Sequence, residues 1–362
     1  MKQRSPPTGY ARLSSRAARI ALLLLLVATA VFVGVALRGD NASSWRRGEE
    51  GDAALYRAEI NRIRAGEDYY KAAAAELPSR GYPTRSIFNW RTPLPMWMIG
   101  KLPAPFWGKV LLIGLALGVI VLAFGIMAQD EKHVFRSPLG CALLLTGTLM
   151  ALYGGDSYTM PVLWAGAFIA LSICCYGVNR PWLGVVFGLA AVFFRELALP
   201  YCLLAAGIAW WNRRWKELAA WFAGTGAWFV FFGWHCLRAT EMMPHGATAH
   251  SQGWLQLGGA GFVILTAQMN LFLLELPQWI TALYLTAALF GLAGWDTPLG
   301  QRTGLTVCLF ITAFAFVGHN FNQYWGCLYA PLLCFGVARF PASLRDAFVA
   351  GGFFRRRIRQ KC

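Results

Sequence analysis

The sequence predicts an all-α, polytopic membrane protein of about ten transmembrane helices, with amphipathic surface helices in its first outer loop. Three observations carry that prediction. Of 362 residues, 57% are hydrophobic and only 14% charged, against about 25% charged in a soluble domain. Runs of roughly 18 or more apolar residues recur, the length a helix needs to cross a bilayer. The formal charge of +16 sits largely in loops that the positive-inside rule assigns to the cytoplasm, which explains the surplus without nucleic acid.

Taken in order, Lys2, Arg4, Arg12, Arg16 and Arg19 precede the first apolar run, 20–37. A cleaved signal peptide shares that charge order. This core is long for one, however, and an even helix count matches the later charges. The run therefore reads as a retained first helix with a cytoplasmic N-terminus. The outer loop 38–92 follows. In it Ile60, Ile63, Tyr70, Ala74 and Leu77 recur at helical spacing, interrupted at Gly66, which predicts two short amphipathic helices on the membrane surface. Asn41-Ala42-Ser43 fits a glycosylation sequon, a pattern short enough to arise by chance.

Helix two covers 106–127 and ends at a polar loop with Asp130, Lys132 and Arg136. Helix three covers 139–152 and the turn Tyr153-Gly154-Gly155-Asp156-Ser157 follows it. Helix four, 159–176, ends at Asn179-Arg180-Pro181. The stretch 182–211 is apolar except for Arg195-Glu196, and reads as helices five and six meeting there on the outer side. Arg213, Arg214 and Lys216 mark a cytoplasmic loop before helix seven, 218–234. A second outer loop, 238–276, holds His245, His250 and a surface helix at 260–274. Helices eight, nine and ten cover 279–292, 304–317 and 327–340, with the polar turn His319-Asn320-Phe321-Asn322-Gln323-Tyr324-Trp325 between the last two. A basic tail closes the chain. Both termini then face the cytoplasm. The chain divides into a module 1–237 containing the first outer loop and a set of C-terminal membrane helices, 238–362.

The nine cysteines form no CxxC pair, and the first outer loop contains none, so neither a disulfide framework nor a cysteine metal site is indicated. Four polar groups gather on the outer face instead: Glu67-Asp68 with Arg91, then Asp156, then Arg195-Glu196, then the turn with Asn322 and Tyr324. An ionisable residue inside apolar sequence costs ~2.5–3.5 kcal/mol near a helix centre and usually has a functional reason to be there. Arg195 suits bidentate phosphate binding because its planar guanidinium stays charged; it would otherwise pair with Glu196 or Asp156 and anchor a helix end. Asp68 follows Gly66, where a carboxylate stabilises a helix start or, kept ionised there, acts as a general base. Glu67 is the adjacent alternative. Asp156 has the local hydrogen bonds of its turn as its competing role. His245, His250 and His319 are too scattered for a metal ligand set.

Three stretches carry a resemblance. Glu67-Asp68-Tyr69-Tyr70 looks like an acidic motif early in a long first outer loop. Trp90-Arg91-Thr92-Pro93-Leu94 looks like an aromatic or basic residue followed by Pro-Pro-Leu, with Thr92 at the first proline. Phe194-Arg195-Glu196-Leu197-Ala198-Leu199-Pro200 looks like a basic break between middle helices. Over residues 20–234 the organisation resembles the GT-C superfamily of integral-membrane glycosyltransferases, in the branch of the protein O-mannosyltransferases and lipid A aminoarabinose transferases. The order Glu-Asp replaces the commoner Asp-Glu and leaves the base open between Asp68 and Glu67.

The resemblance implies transfer of a sugar from a polyprenyl-phosphate-linked donor to an acceptor hydroxyl of a lipid, glycan or protein, on the outer face of the plasma membrane. Arg195 and Arg91 would hold the donor phosphate. Asp156, Glu196, Asn322 and Tyr324 would line the substrate. No organic cofactor is implied, and a divalent cation is left open. The chemistry agrees, because the chain has no phosphate-cradling glycine loop and no soluble domain for a nucleotide sugar. The rival is a transporter or flippase, which predicts internal repeats and midplane charges. No repeat is visible, and the charges cluster at one face.

Overall fold

The computed structural model describes residues 8–39, 51–130, 136–150, 154–249 and 256–354. The sequon at Asn41, Lys132, His250 and the basic tail lie outside them. The described residues are helical, with no strand among them. Helix α1 covers Ser15–Arg38, α2 Asp52–Arg64, α3 Tyr69–Ser79, α4 Leu94–Lys101 and α5 Phe106–Asp130. Then come α6 (Arg136–Leu145, continued by a π turn at Thr146–Met150), α7 (Pro161–Gly177), α8 (Pro181–Phe194), α9 (Leu199–Trp211) and α10 (Trp215–Glu241). The remainder are α11 (Gly259–Ala267), α12 (Leu271–Leu274), α13 (Gln278–Ala293), α14 (Pro298–Phe316) and α15 (Ala330–Ala350), the last preceded by a 3₁₀ segment at Asn320–Leu328.

Three helices are long and apolar enough to cross a bilayer: Ser15–Arg38, Phe106–Gln129 and Pro298–Phe316. The 3₁₀ segment and α15 together would make a fourth, bent by 68°. The expected run at 218–234 lies in the 27-residue α10, and the other expected apolar runs are also helical but shorter. Helices α8 and α9 have 14 and 13 residues, about 20 Å each at 1.5 Å per residue, short of a bilayer's ~30 Å core. Long apolar side chains face outward along α1 (Leu23, Leu24, Leu26) and α10 (Phe222, Phe229, Val230). Exposed apolar surface of that extent marks a lipid or protein contact rather than a water-facing one.

The helices run between two ends of one bundle. At the first end, Tyr10 stacks on Phe290 at 4.4 Å and the Thr8 amide donates to Asp346 Oδ2 at 2.8 Å. Arg12 pairs with Asp296 at 2.6 Å, and Arg19 Nε donates to the Gly351 carbonyl at 2.9 Å. The start of α1, the α13–α14 turn and the end of α15 therefore share this end. Glu217 near the start of α10, Tyr176 near the end of α7 and Arg302 near the start of α14 form a second polar group, described below. At the other end, Thr159 before α7 donates to the Ala53 carbonyl at 3.4 Å, and His235 near the end of α10 lies 3.1 Å from the Tyr70 hydroxyl.

Helices α2 and α3 form at the positions in the chain where the outer-loop spacing predicts helices. Between them Gly66 has φ +96°, a left-handed conformation that glycine adopts without a Cβ penalty. Asp68 caps α3, accepting from the Tyr70 amide at 3.0 Å. Leu55, Tyr56, Ile60 and Ile63 bury one face of α2. The helix expected on the surface at 260–274 is instead two helices, broken where Asn270 caps α12 by accepting from the Phe272 amide at 3.0 Å. The first of them, α11, is inside, with Phe262, Val263, Ile264, Leu265 and Ala267 all buried. Its sequence is apolar on every side, and such a helix belongs in a core.

Candidate functional site

The polar centre at the second end is built around Asp52, the first residue of α2. Asp52 Oδ1 accepts from the Tyr82 hydroxyl at 2.8 Å. Its Oδ2 accepts from Tyr324 at 2.9 Å and from Tyr56 at 3.5 Å. The Arg91 guanidinium stands 3.8 Å from the same oxygen and donates through Nε to the Tyr56 hydroxyl at 2.9 Å. Burial, and secondarily the Asp52 charge, hold Tyr82 well above its ordinary pKa. Tyr56 is raised by burial too, against the opposing pull of Arg91. Both therefore stay as neutral donors to the carboxylate. The Asp52 side chain retains 19% of its surface.

Arg91 is placed by its backbone. It has φ +39°, a conformation that costs a non-glycine residue about 1–3 kcal/mol and persists only where surroundings enforce it. The surroundings do so here. The Tyr69 hydroxyl donates to the Trp90 and Arg91 carbonyls, Trp90 Nε1 donates to the Thr84 carbonyl at 2.9 Å, and Arg91 Nη1 donates to the Phe88 carbonyl. Thr92 then donates to the Phe193 and Phe194 carbonyls, each at 3.3 Å. That contact ties the segment to the end of α8, where Arg195 follows.

Arg195 ends α8 in extended backbone, φ −149°, and Pro200 stands in the first turn of α9, where a missing amide is tolerated. The Arg195 side chain is 3% exposed and pairs with Glu196 at 3.3 Å. Its Nε is buried without a hydrogen-bond partner. Its charge acts on the Tyr56 and Tyr324 hydroxyls, and that of Glu196 on Arg91. Arg91, Arg195, Glu196 and Tyr324, all sequence candidates, thus belong to one group. Asn322, two residues before Tyr324 in the 3₁₀ segment, is buried with its side-chain nitrogen unpartnered.

The remaining candidates stand apart. Asp156 forms an exposed ion pair with Arg57 of α2 at 2.5 Å. Glu67 pairs with Arg62 at 3.0 Å. Asp68 is exposed and lines a cavity of about 470 Å³ with Tyr70, Trp97, Lys101 and Trp234. Among the described residues it forms no ion pair.

Sequence reasoning passed over Asp52, Tyr56, Tyr82 and Glu59. Glu59 is buried on the packed face of α2 with Oε2 unpartnered, and burial pushes its carboxyl up to about 8, against the pull of Arg91. One signal was available. Asp52, Tyr56, Glu59 and Ile63 fall on one helical stripe, so α2 carries two carboxylates on the face that also carries its apolar residues.

No protein-family model matches the chain, and neither a curated protein nor a solved structure does.

Proposed function

We propose that the chain is a membrane glycosyltransferase that moves a sugar from a polyprenyl-phosphate-linked donor to an acceptor hydroxyl. The observation that carries this reading is a carboxylate, Asp52, 3.8 Å from the buried Arg91 guanidinium, with the charge of a second buried guanidinium, Arg195, acting on the same Tyr56 and Tyr324 hydroxyls, at one end of an apolar helical bundle. Burial strengthens each cation's interaction with an anion, because water no longer screens it. The unpartnered Arg195 Nε lacks an acceptor that a phosphate oxygen would supply.

The step follows from those roles. Asp52 takes the proton of the acceptor hydroxyl as its oxygen attacks the anomeric carbon. The bond from that carbon to the phosphate oxygen breaks, and the electron pair leaves with the polyprenyl phosphate. Arg195 and Arg91 offset the charge that develops there. One displacement inverts the anomeric centre. Geometry favours Asp52 over Asp68 as the base, since Asp52 shares the group with both arginines while Asp68 caps α3.

The ten apolar helices α1, α5–α10 and α13–α15 are read as ten spans. The end holding Arg12, Arg19 and Arg214 faces the cytoplasm by the positive-inside rule, and the Asp52 end faces outward across the plasma membrane. In a cysteine-free background, a thiol replacing Ala65 should be labelled from outside and one replacing Asn212 only after permeabilisation; the opposite pattern would invert this orientation. For the activity, proteoliposomes receive a polyprenyl-phosphate sugar and hydroxyl acceptors. Release of polyprenyl phosphate with inverted product is the expected result. Movement of intact donor between leaflets, with no sugar released, would establish the flippase instead.

A further inference from the structure

We propose that the cavity between the α2–α3 turn, α4 and α10 binds a phospholipid whose headgroup carries both a phosphate and a free ammonium. Its volume, about 470 Å³, falls within the range of small-ligand sites. The wall is aromatic, with Trp97, Phe231 and Trp234, and its charged groups include Asp68 and Lys101.

The charges decide the ligand. Glu67, also on the wall, is already paired with Arg62 at 3.0 Å. Arg238 lies over the Tyr70 ring at 5.5 Å but is paired with Glu241 at 2.6 Å. Asp68 Oδ1 accepts from the Tyr70 amide, and among the described residues neither Asp68 nor Lys101 forms an ion pair. One anion and one cation thus share a cavity without neutralising partners. A headgroup bearing both an ammonium and a phosphate answers both. An anionic glycerol headgroup leaves Asp68 unanswered, and a choline headgroup offers it no N–H donor.

Position decides the source. Helix α4 is an eight-residue apolar helix ending at Lys101, the arrangement in which a lysine extends its amine to the phosphate level. Trp97 and Trp234 are about half exposed, as tryptophans at a headgroup boundary are. Along α10, Trp234, Val230, Gly226 and Phe222 stand four residues apart on one face. The three side chains are exposed, and space is open beside Gly226. That stripe leads from the cavity along the bundle and provides an apolar bed for acyl chains. This assignment stands whether or not the chain transfers a sugar, and it gives Asp68 a ligand in place of a catalytic role.

The test is native mass spectrometry of the purified full chain in detergent, with phosphatidylethanolamine, phosphatidylglycerol or phosphatidylcholine of the same acyl composition. The wild type should retain one phosphatidylethanolamine with about tenfold preference over either other lipid, the scale of one charge-assisted contact. Asp68→Asn and Lys101→Met, both at exposed positions, should each reduce that retention about tenfold with unchanged melting temperature in lipid-free detergent. Equal retention of the three lipids by the wild type, or full retention by both variants, would overturn the proposal. Soluble phosphoethanolamine raising the melting temperature as much as the lipid does would overturn the lipid as the source.

Discussion

Two buried ionic groups stand at opposite ends of this bundle, and they are built differently. At the terminus-bearing end, Glu217 of α10 accepts from the Tyr176 hydroxyl at 2.6 Å and pairs with Arg302 at 3.6 Å and Arg214 at 3.4 Å. Arg302 lies over the Tyr176 ring at 3.6 Å. The Arg302 and Glu217 side chains are 4% and 7% exposed, and the core of the group stands on regular turns of α7, α10 and α14. It clamps three helices and leaves its carboxylate almost no surface. The Asp52 group draws instead on a helix start, a loop with left-handed Arg91, a helix break at Arg195 and a 3₁₀ segment. Its Asp52 side chain keeps 19% of its surface. Closed groups on regular helices stabilise packing, whereas open groups on constrained irregular backbone hold reactive charge ready.

The comparison is broken most severely by changing one member of each group. Arg195→Ala should lower sugar transfer by about 10²–10³-fold, the scale of losing one donor to transition-state charge, with Arg195→Lys recovering only part because lysine lacks the fork. Melting temperature should move much less than activity. Glu217→Gln should do the reverse. It strands buried Arg302 and destabilises the bundle by about 3–5 kcal/mol, read as a lower melting temperature, while transfer per folded molecule stays near wild type. Large activity loss in folded Glu217→Gln protein would erase the distinction between the two ends.

Glu59 gives a smaller, pH-dependent test. Its carboxyl is raised by burial to about 8, above its unfolded value near 4.5, so folding takes up a proton between those values. Its stabilising effect is fully present below about pH 4.5 and is lost as pH rises through about 8, at up to about 1.4 kcal/mol per pH unit. Glu59→Gln should flatten that decline, with the largest gain in melting temperature near pH 8. An unchanged slope would mean that Glu59 does not take up that proton on folding. The smallest expected effect is at Gly66, where φ is +96° and space around a Cβ is open. Gly66→Ala should cost about 1 kcal/mol through backbone strain alone, with transfer intact.

The helices were legible in the chain because apolar runs and helical spacing are local, and α2 and α3 were readable around Gly66 for the same reason. Arg91, Arg195, Glu196 and Tyr324 were legible as site candidates because charge or polarity inside apolar sequence stands out. Asp52 was not. It follows Glu49-Glu50-Gly51 and reads as an ordinary acidic helix start, while its defining partner Tyr324 lies 272 residues away. Asp68 reads as the base from sequence instead, because it follows Gly66 at a visible helix start in the polar segment. What separates them is long-range packing. The burial of α11 was missed because a short, uniformly apolar helix in a polar-looking loop gives no directional pattern to read.

The most direct measurement is the rate of sugar transfer in proteoliposomes supplied with a polyprenyl-phosphate sugar, comparing wild type, Asp52→Asn and Asp68→Asn. Asparagine keeps the shape at Asp52 but removes the group that accepts a proton. The expected result is a fall of about 10²–10⁴-fold for Asp52→Asn, with donor binding nearly unchanged. Asp68→Asn, which still caps α3, should transfer within about threefold of wild type. Full activity in Asp52→Asn, or loss confined to Asp68→Asn, would contradict the assignment of Asp52 as the base.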